Sequence, residues 1–378
     1  FEFGGLQRDM CRIASACADQ GHEVHVVTGA WEGVRPENLH VHLVEFQART
    51  NHGRCEEFGA AVERFVRGRA VDCLVGFNKM AGLDVCWCGD PCLAEKLAEE
   101  KSRPLHWLPR YRTYLRLERS VFGSDSDAEL LVLTQPEQDR ISKHYGTQEN
   151  RMHLLPGGID RSRFELGSDR RITREEIRHE LRISESSLMV LTVGSSFKTK
   201  GVDRSIQALA SLPVELRTKS ELVVVGNGDR GQFQKIADKA NVAERVHFTG
   251  GRDDVARFYH AADLLLHPAR TETAGHILLE AMICGLPVIV TENCGYAFHV
   301  QRAGAGLVCP HPFEQRELNR LLLNACSSNG ADRWKQNAFD YCEKTDLYSM
   351  VEKAASVIIA RAERNRQSGF SQEFRRAS

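Results

Sequence analysis

The chain has 378 residues, 42% of them hydrophobic and 27% charged, with 50 Lys+Arg against 51 Asp+Glu and a net charge of −1. At roughly 100–200 residues per domain, two domains are expected, and near-neutrality excludes a global field that would draw in nucleic acid or anionic membrane, so any such binding needs a local patch. No uninterrupted apolar run reaches the roughly 18–20 residues of a membrane-spanning helix, and no charged-then-apolar signal segment opens the chain.

The chain begins FEFGGLQRD, where Gly4 and Gly5 precede a helical pattern carrying Leu6, Met10, Ile13 and Ala14. Strand patterns follow at 23–28, 40–45, 71–77, 129–134 and 152–156, and again at 188–194, 221–226, 245–250, 263–268, 287–291 and 306–310. Amphipathic stretches of 10–17 residues separate them. Alternating strand and helix signals predict parallel sheets covered by helices on both faces. Pro156, Gly157 and Gly158 mark a linker at 156–160, and a polar segment, 165–187, comes next. Residues 345–366 read as one long helix, and the tail 368–378 is polar. The expectation is two doubly wound α/β domains facing a cleft, with ligands at the carboxyl ends of the strands.

Twelve cysteines in a chain of this kind read as reduced thiols. Cys86, Cys88 and Cys92 have C-x-C and C-x3-C spacing, with no CxxC pair and no histidine at zinc-finger distance, so no metal site is assigned there. Cys88 and Cys92 flank Asp90 and are expected to line a cleft as thiols.

The most specific element spans 262–295. A buried-type strand ends at His267-Pro268, Glu272 follows on a loop, and Glu280 lies eight residues later on a helix starting near Gly275. Two isolated glutamates are most often solvated surface charges; the strand–loop–helix context reverses that reading. Carboxylates accept from sugar hydroxyls, while the first-turn amides of Ala274, Gly275 and His276 suit a phosphate. A second strand ends at Gly194, and a loop with Lys198 and Lys200 leads to a helix near Val202, again favouring phosphate, although no Walker A spacing is present. The glycine turn at 226–228 is equally a nucleotide contact or a plain turn. Asn78, Lys79 and Asp90 follow a predicted strand of the first half, where a carboxylate can orient an acceptor hydroxyl or cap a helix. Residues 108–122 interleave Arg110, Arg112, Arg116 and Arg119 with Tyr111, Tyr114, Leu115, Leu117 and Phe122. Such a stripe is either a solvated helix face or a seat for an anionic membrane.

Together the Glu272-x7-Glu280 element, the Lys200 loop, the PGGID linker and the GG helix start resemble the family-4 retaining glycosyltransferases of GT-B fold. Segments 3–9, 21–33, 50–54, 76–85, 200–213 and 262–269 are similar, within that family, to lipopolysaccharide core glucosyltransferases of Gram-negative bacteria. The resemblance runs from residue 1 to about 360. It implies an acceptor-side domain at 1–157, joined by the helix 345–366, and a nucleotide-sugar domain at 158–344. It implies transfer of glucose from UDP-glucose to an inner-core heptose with retention, no cofactor and no metal. Glu280 would hold the ribose and Glu272 the donor sugar. Lys200 and Arg163 would neutralise the diphosphate, and Gly5 would add an amide. Asp9 would contact the sugar side, and Asp90 falls near the acceptor. The basic stripe matches a family segment that meets the inner membrane, so a monomer peripheral to its cytoplasmic side is expected, with no nucleic-acid partner.

Three departures stand out. Ser195 replaces a frequent arginine, which shifts phosphate work towards Lys198. His276 replaces a small or aliphatic residue. The family begins with a strand before the GG turn that this chain lacks, so 378 reads as a short count. Other UDP-sugars as donor, and a truncated nucleotide-binding chain without turnover, are the alternatives.

Overall fold

The computed structural model describes residues 5–99, 107–164, 170–327 and 330–368; Gly4 lies outside them. The chain divides into two compact units. One holds the chain up to Pro156 together with the part from Ser349 on, and the other is Gly157–Tyr348.

In the first unit the helices are α1 (Gly5–Asp19), α2 (Asn51–Val66), α3 (Leu93–Glu99), α4 (Pro109–Phe122) and α5 (Gln135–Tyr145). Strands β1 (His25–Thr28) and β2 (His40–Leu43) pair in parallel. Strands β3 (Val75–Gly76), β4 (Val85–Cys88), β5 (Glu129–Val132) and β6 (Met152–Leu154) form a parallel sheet in that order. β4 is absent from the sequence reading. Its V-C-W-C run is buried at every position, so it shows no alternation, and with two cysteines and a tryptophan it also lacks the aliphatic run that marks the other fully buried strands. Cys86 and Cys88 are fully buried among Val62, Leu83, Val121 and Phe122, and Cys92 is 1% exposed. These thiols belong to the interior and do not line an open cleft, which corrects the expectation.

The second unit contains α6 (Arg170–Leu181), α7 (Phe197–Lys200), α8 (Val202–Ala210), α9 (Val214–Arg217), α10 (Arg230–Lys239), α11 (Val255–Ala261), α12 (His276–Ile283), α13 (Ala297–Ala303), α14 (Gln315–Ser327) and α15 (Ala331–Lys344). Its strands are β7 (Leu188–Val193), β8 (Ser220–Val225), β9 (Val246–Gly250), β10 (Leu264–His267), β11 (Val288–Thr291) and β12 (Gly306–Cys309). All run parallel in the order β12-β11-β10-β7-β8-β9. The chain therefore starts at β7, moves outward through β8 and β9, and returns to the other side of β7 at β10. That reversal is the topological switch point at which open α/β sheets bind ligands.

The polar stretch 165–187 contains α6, which was not anticipated. Arg178 on α6 is fully buried and donates to the carbonyls of Ala261 (3.3 Å), Ser184 (2.8 Å) and Ser187 (2.9 Å) and to Asp263 (2.7 Å). Arg174 of the same helix adds a bond to Ala261 O (2.7 Å) and a pair with Asp263 (2.9 Å), so a helix with little apolar surface beyond buried Ile177 is docked by two cations.

The final helix, α16 (Met350–Gln367), starts five residues later than expected, because the chain leaves α15 in an extended conformation at Thr345 and Leu347 O accepts from Ile159 N (3.1 Å). α16 packs against α1 in the first unit. Its polar face is fastened by Arg361 to Asp127 (2.7 Å), Asn365 to Asp84 (2.9 Å) and Arg366 to Asp72 (2.7 Å).

Candidate active site

The switch point of the second unit is built from two loops. After β10 the chain runs through Pro268 to Glu272 and then enters α12 at Gly275. The backbone of Glu272 bridges in parallel to Cys294, with Gly295 N donating to Glu272 O (2.9 Å) and Tyr296 N to Ala274 O (2.7 Å). Gly275 has φ +92°, and a β-carbon there would lie 2.4 Å from Cys294 Sγ. Only glycine permits this turn. Ala274 and Gly275 are buried, and the half-buried ring of His276 sits edge-on to Tyr296, with centroids 5.4 Å apart.

After β7, Gly194 lies beside the Lys200 side chain, and α7 makes a single turn instead of the expected loop. Gly201 follows at φ +74°, where a β-carbon would meet Pro268 O at 2.1 Å. The two loops are locked together by Arg270. It forms a two-pronged pair with Asp203 (2.8 and 2.7 Å), and it donates to Lys198 O (2.6 Å) and, through its amide, to Thr199 O (2.8 Å). The sequence reading missed this clamp, since nothing local links positions 203 and 270.

Lys200 and Glu272 form an ion pair within this frame. His267, the last residue of β10, is fully buried, and its Nε2 lies 3.5 Å from Glu272 Oε2. Burial alone would raise the pKa of Glu272, but His267 and Lys200 outweigh it and hold the carboxyl at about 2. Burial lowers the pKa of His267, so the ring is neutral near pH 7. His267 was also missed; its signal was a lone histidine ending an apolar strand.

Glu280 is buried on α12, and its Oε2 accepts from Tyr259 Oη at 2.7 Å. The two glutamates thus have different partners: Glu272 meets Lys200 and His267, and Glu280 meets Tyr259. Lys198 is exposed, and so is Arg163, in a short 3-10 turn 161–164. Ser195 Oγ accepts from Asn227 N at 3.3 Å, tying the loop after β7 to the glycine turn after β8.

In the first unit, Gly5 opens α1, and Asp9 is buried on that helix. Asp90 is exposed on the loop between β4 and α3. Lys79 does not stand open beside it: its Nζ pairs with buried Glu118 of α4 at 2.6 Å. On α4, Arg110, Arg112, Arg116 and Arg119 are all exposed, Arg116 pairing with Glu56. Among the described residues, no group of His, Cys, Asp and Glu has metal-site geometry, and no helix is long and apolar enough to cross a membrane.

Two parallel α/β units, with a carboxylate–lysine pair at a switch point, define a GT-B glycosyltransferase. The chain belongs to the group 1, family 4 glycosyltransferases: the model described as Glycosyl transferases group 1 matches residues 173–341, and that described as Glycosyltransferase Family 4 matches residues 3–163. It is 44% identical over 361 residues to the lipopolysaccharide glucosyltransferase WaaG of Escherichia coli (strain K12), across 95% of this chain and 96% of that protein. A crystal structure of WaaG, described as a glycosyltransferase involved in lipopolysaccharide biosynthesis, aligns with a TM-score of 0.90 over 95% of this chain and 97% of the other, at 44% identity. Anabaena HepE in complex with UDP-glucose shares the fold, with a TM-score of 0.72 at 17% identity over 96% of each chain.

Proposed function

We propose that this enzyme transfers glucose from UDP-glucose to a heptose of the lipopolysaccharide inner core with retention of configuration. The observation that carries this reading is the Lys200–Glu272 pair at the switch point of the second unit, in a chain similar over nearly its whole length to a lipopolysaccharide glucosyltransferase.

In this reading the ion pair is a resting arrangement that the donor exchanges. Lys200 turns to the diphosphate, and Glu272, ionised throughout the physiological range, accepts from hydroxyls of the donor sugar. Glu280 accepts from the ribose hydroxyls, with Tyr259 fixing its carboxylate. The amides of Ala274, Gly275 and His276, at the entry to α12, offer the positive end of that helix to the phosphates. Lys198 and Arg163 are long, exposed cations that close on the same group, and the Gly5 amide and Asp9 complete the donor contacts.

The bond from the anomeric carbon to the β-phosphate oxygen breaks, and a bond to the acceptor oxygen forms on the same face. The acceptor proton passes to the departing phosphate. Negative charge grows on that phosphate as the bond breaks, and preset cations and amides stabilise it without reorganisation. Asp90 orients the acceptor hydroxyl. The reaction so written asks for no divalent metal.

The basic face of α4, with exposed Trp107 and Leu108 at its start, supports a seat on an anionic bilayer for a cytoplasmic, monomeric enzyme. The test is incubation with UDP-glucose, UDP-galactose or UDP-N-acetylglucosamine and a heptose-terminated core acceptor, with the product linkage read by NMR. An α-glucosyl product formed from UDP-glucose alone is expected. Preference for another donor, or a β-linkage, would overturn the reading.

A further inference from the structure

A buried polar cluster in the first unit has no part in the chemistry above. Glu118 of α4 is 1% exposed. One oxygen accepts from Lys79 Nζ (2.6 Å) and Leu93 N (3.0 Å); the other accepts from Tyr145 Oη (2.7 Å) and Ala94 N (3.2 Å), with Cys92 Sγ at 3.6 Å. Lys79 also lies 4.8 Å over the Phe122 ring. Glu137 of α5 accepts from Cys92 N.

These partners come from the segments that follow β3, β4 and β5. Leu93 and Ala94 are the first residues of α3, whose amides have no partner inside the helix. A carboxylate supplied by another helix does the work of an N-cap there, and it also suits the positive end of the helix. The residues just before this cap are Asp90 and Pro91. The loop with Asp90 is thus held at one end by β4 and at the other by Glu118. The exposed arginines lie on the same helix, α4, as Glu118.

We infer that Glu118 is a positioning residue for the acceptor side: it fixes the loop that presents Asp90 and ties that loop to the basic helix α4. The inference rests on the reading of Asp90 as an acceptor-side group. Glu118 touches no substrate; it acts through α3 and Lys79.

Removing Glu118 alone strands a half-buried Lys79, which is destabilising in itself. The test variant is therefore the double replacement Glu118→Leu/Lys79→Met, which removes both charges and keeps the volume apolar. It is compared with Asp90→Asn in the full-length enzyme, by acceptor kcat/KM and by calorimetric UDP affinity. We expect both variants to lose about tenfold or more in acceptor kcat/KM, with UDP affinity within about twofold of wild type. If Asp90→Asn loses activity while the folded double variant stays within about twofold, Glu118 has no positioning role and the reading of Asp90 stands. If Asp90→Asn itself stays within about twofold, that reading falls and the inference falls with it. Equal loss of UDP affinity in the double variant would mark a general structural role and also overturn the inference.

Should the double variant not fold, Tyr145→Phe removes one donor without stranding a charge. Faster amide exchange at Leu93 and Ala94 with a reduced acceptor kcat/KM is then expected. Unchanged exchange and kcat/KM would refute the proposal.

Discussion

Lys200 and Glu272 approach from the loops after β7 and β10, two strands adjacent in the sheet yet separated in the chain by β8 and β9. The reversal of strand order brings them together. In the absence of donor each neutralises the other, so the site holds a half-buried carboxylate without an unpaired charge. A donor carrying both hydroxyls and phosphates satisfies the two groups separately.

Lys200→Met removes the cation that meets the leaving diphosphate. A fall in kcat of about 10²–10³ is expected, in the range seen when a preset stabiliser of developing charge is lost. Steady-state kinetics at saturating UDP-glucose checks this, and an unchanged kcat would remove Lys200 from the site.

Tyr259→Phe leaves the Glu280 carboxylate buried without its phenol donor. The carboxylate is then free to wander, and KM for UDP-glucose should rise about three- to tenfold with kcat nearly unchanged, a loss of roughly 1 kcal/mol of ground-state binding. A kcat effect of equal size would point to a role in the transition state instead.

Gly275→Ala places a methyl group against Cys294, in the strap after β11, at a left-handed backbone position. The combined strain and overlap should cost about 2–4 kcal/mol. Denaturant unfolding measures it; a cost below about 0.5 kcal/mol would show that the turn relaxes freely.

Acid sensitivity has a defined window. Burial holds the His299 pKa at about 4, against an ordinary 6.5, with Arg302 adding to the effect; its Nδ1 lies 2.7 Å from Tyr341 Oη. The unfolded state takes a proton below pH 6.5 and the folded state does not until about 4, so stability is full above 6.5 and falls as pH drops through that window. The loss amounts to about 3 kcal/mol. Glu272, depressed to about 2 by partners that outweigh burial, adds a further loss only below its ordinary 4.5. His299→Phe should be less stable at pH 7.5 but have a flatter profile between 6.5 and 4.5. A wild-type profile already flat there would contradict the assignment.

The exposed arginines of α4 predict binding to vesicles containing anionic lipid that weakens as salt rises. Equal binding to neutral vesicles would refute the electrostatic account.

The sequence carried much of this architecture in its rhythm. Runs such as LMVLTV and ELVVV announce strands because β-branched residues crowd them between turn residues. β4 was silent because its V-C-W-C run holds one β-branched residue beside two cysteines and a tryptophan, and lacks the continuous aliphatic run by which the equally buried β8, β10 and β11 are read. α6 was silent because its polar anchors are the guanidinium groups of Arg174 and Arg178, which a pattern of apolar residues cannot register. In the site, the spacing of Glu272 and Glu280 was visible, but their separate partners were not. Tyr259 and the Asp203–Arg270 clamp come together only through the fold, whereas His267 reaches Glu272 along the same β10 strand and loop.

The most direct measurement of the central claim is a double-mutant cycle on Lys200 and Glu272, using Lys200→Met, Glu272→Gln and the pair, with UDP-glucose turnover and thermal stability both recorded. The account predicts losses in kcat/KM of about 100-fold or more for each single variant. In the donor-free enzyme it predicts coupling in stability, so that the pair is less destabilised than the two singles together. Full turnover in either single variant, or strictly additive stabilities, would contradict it.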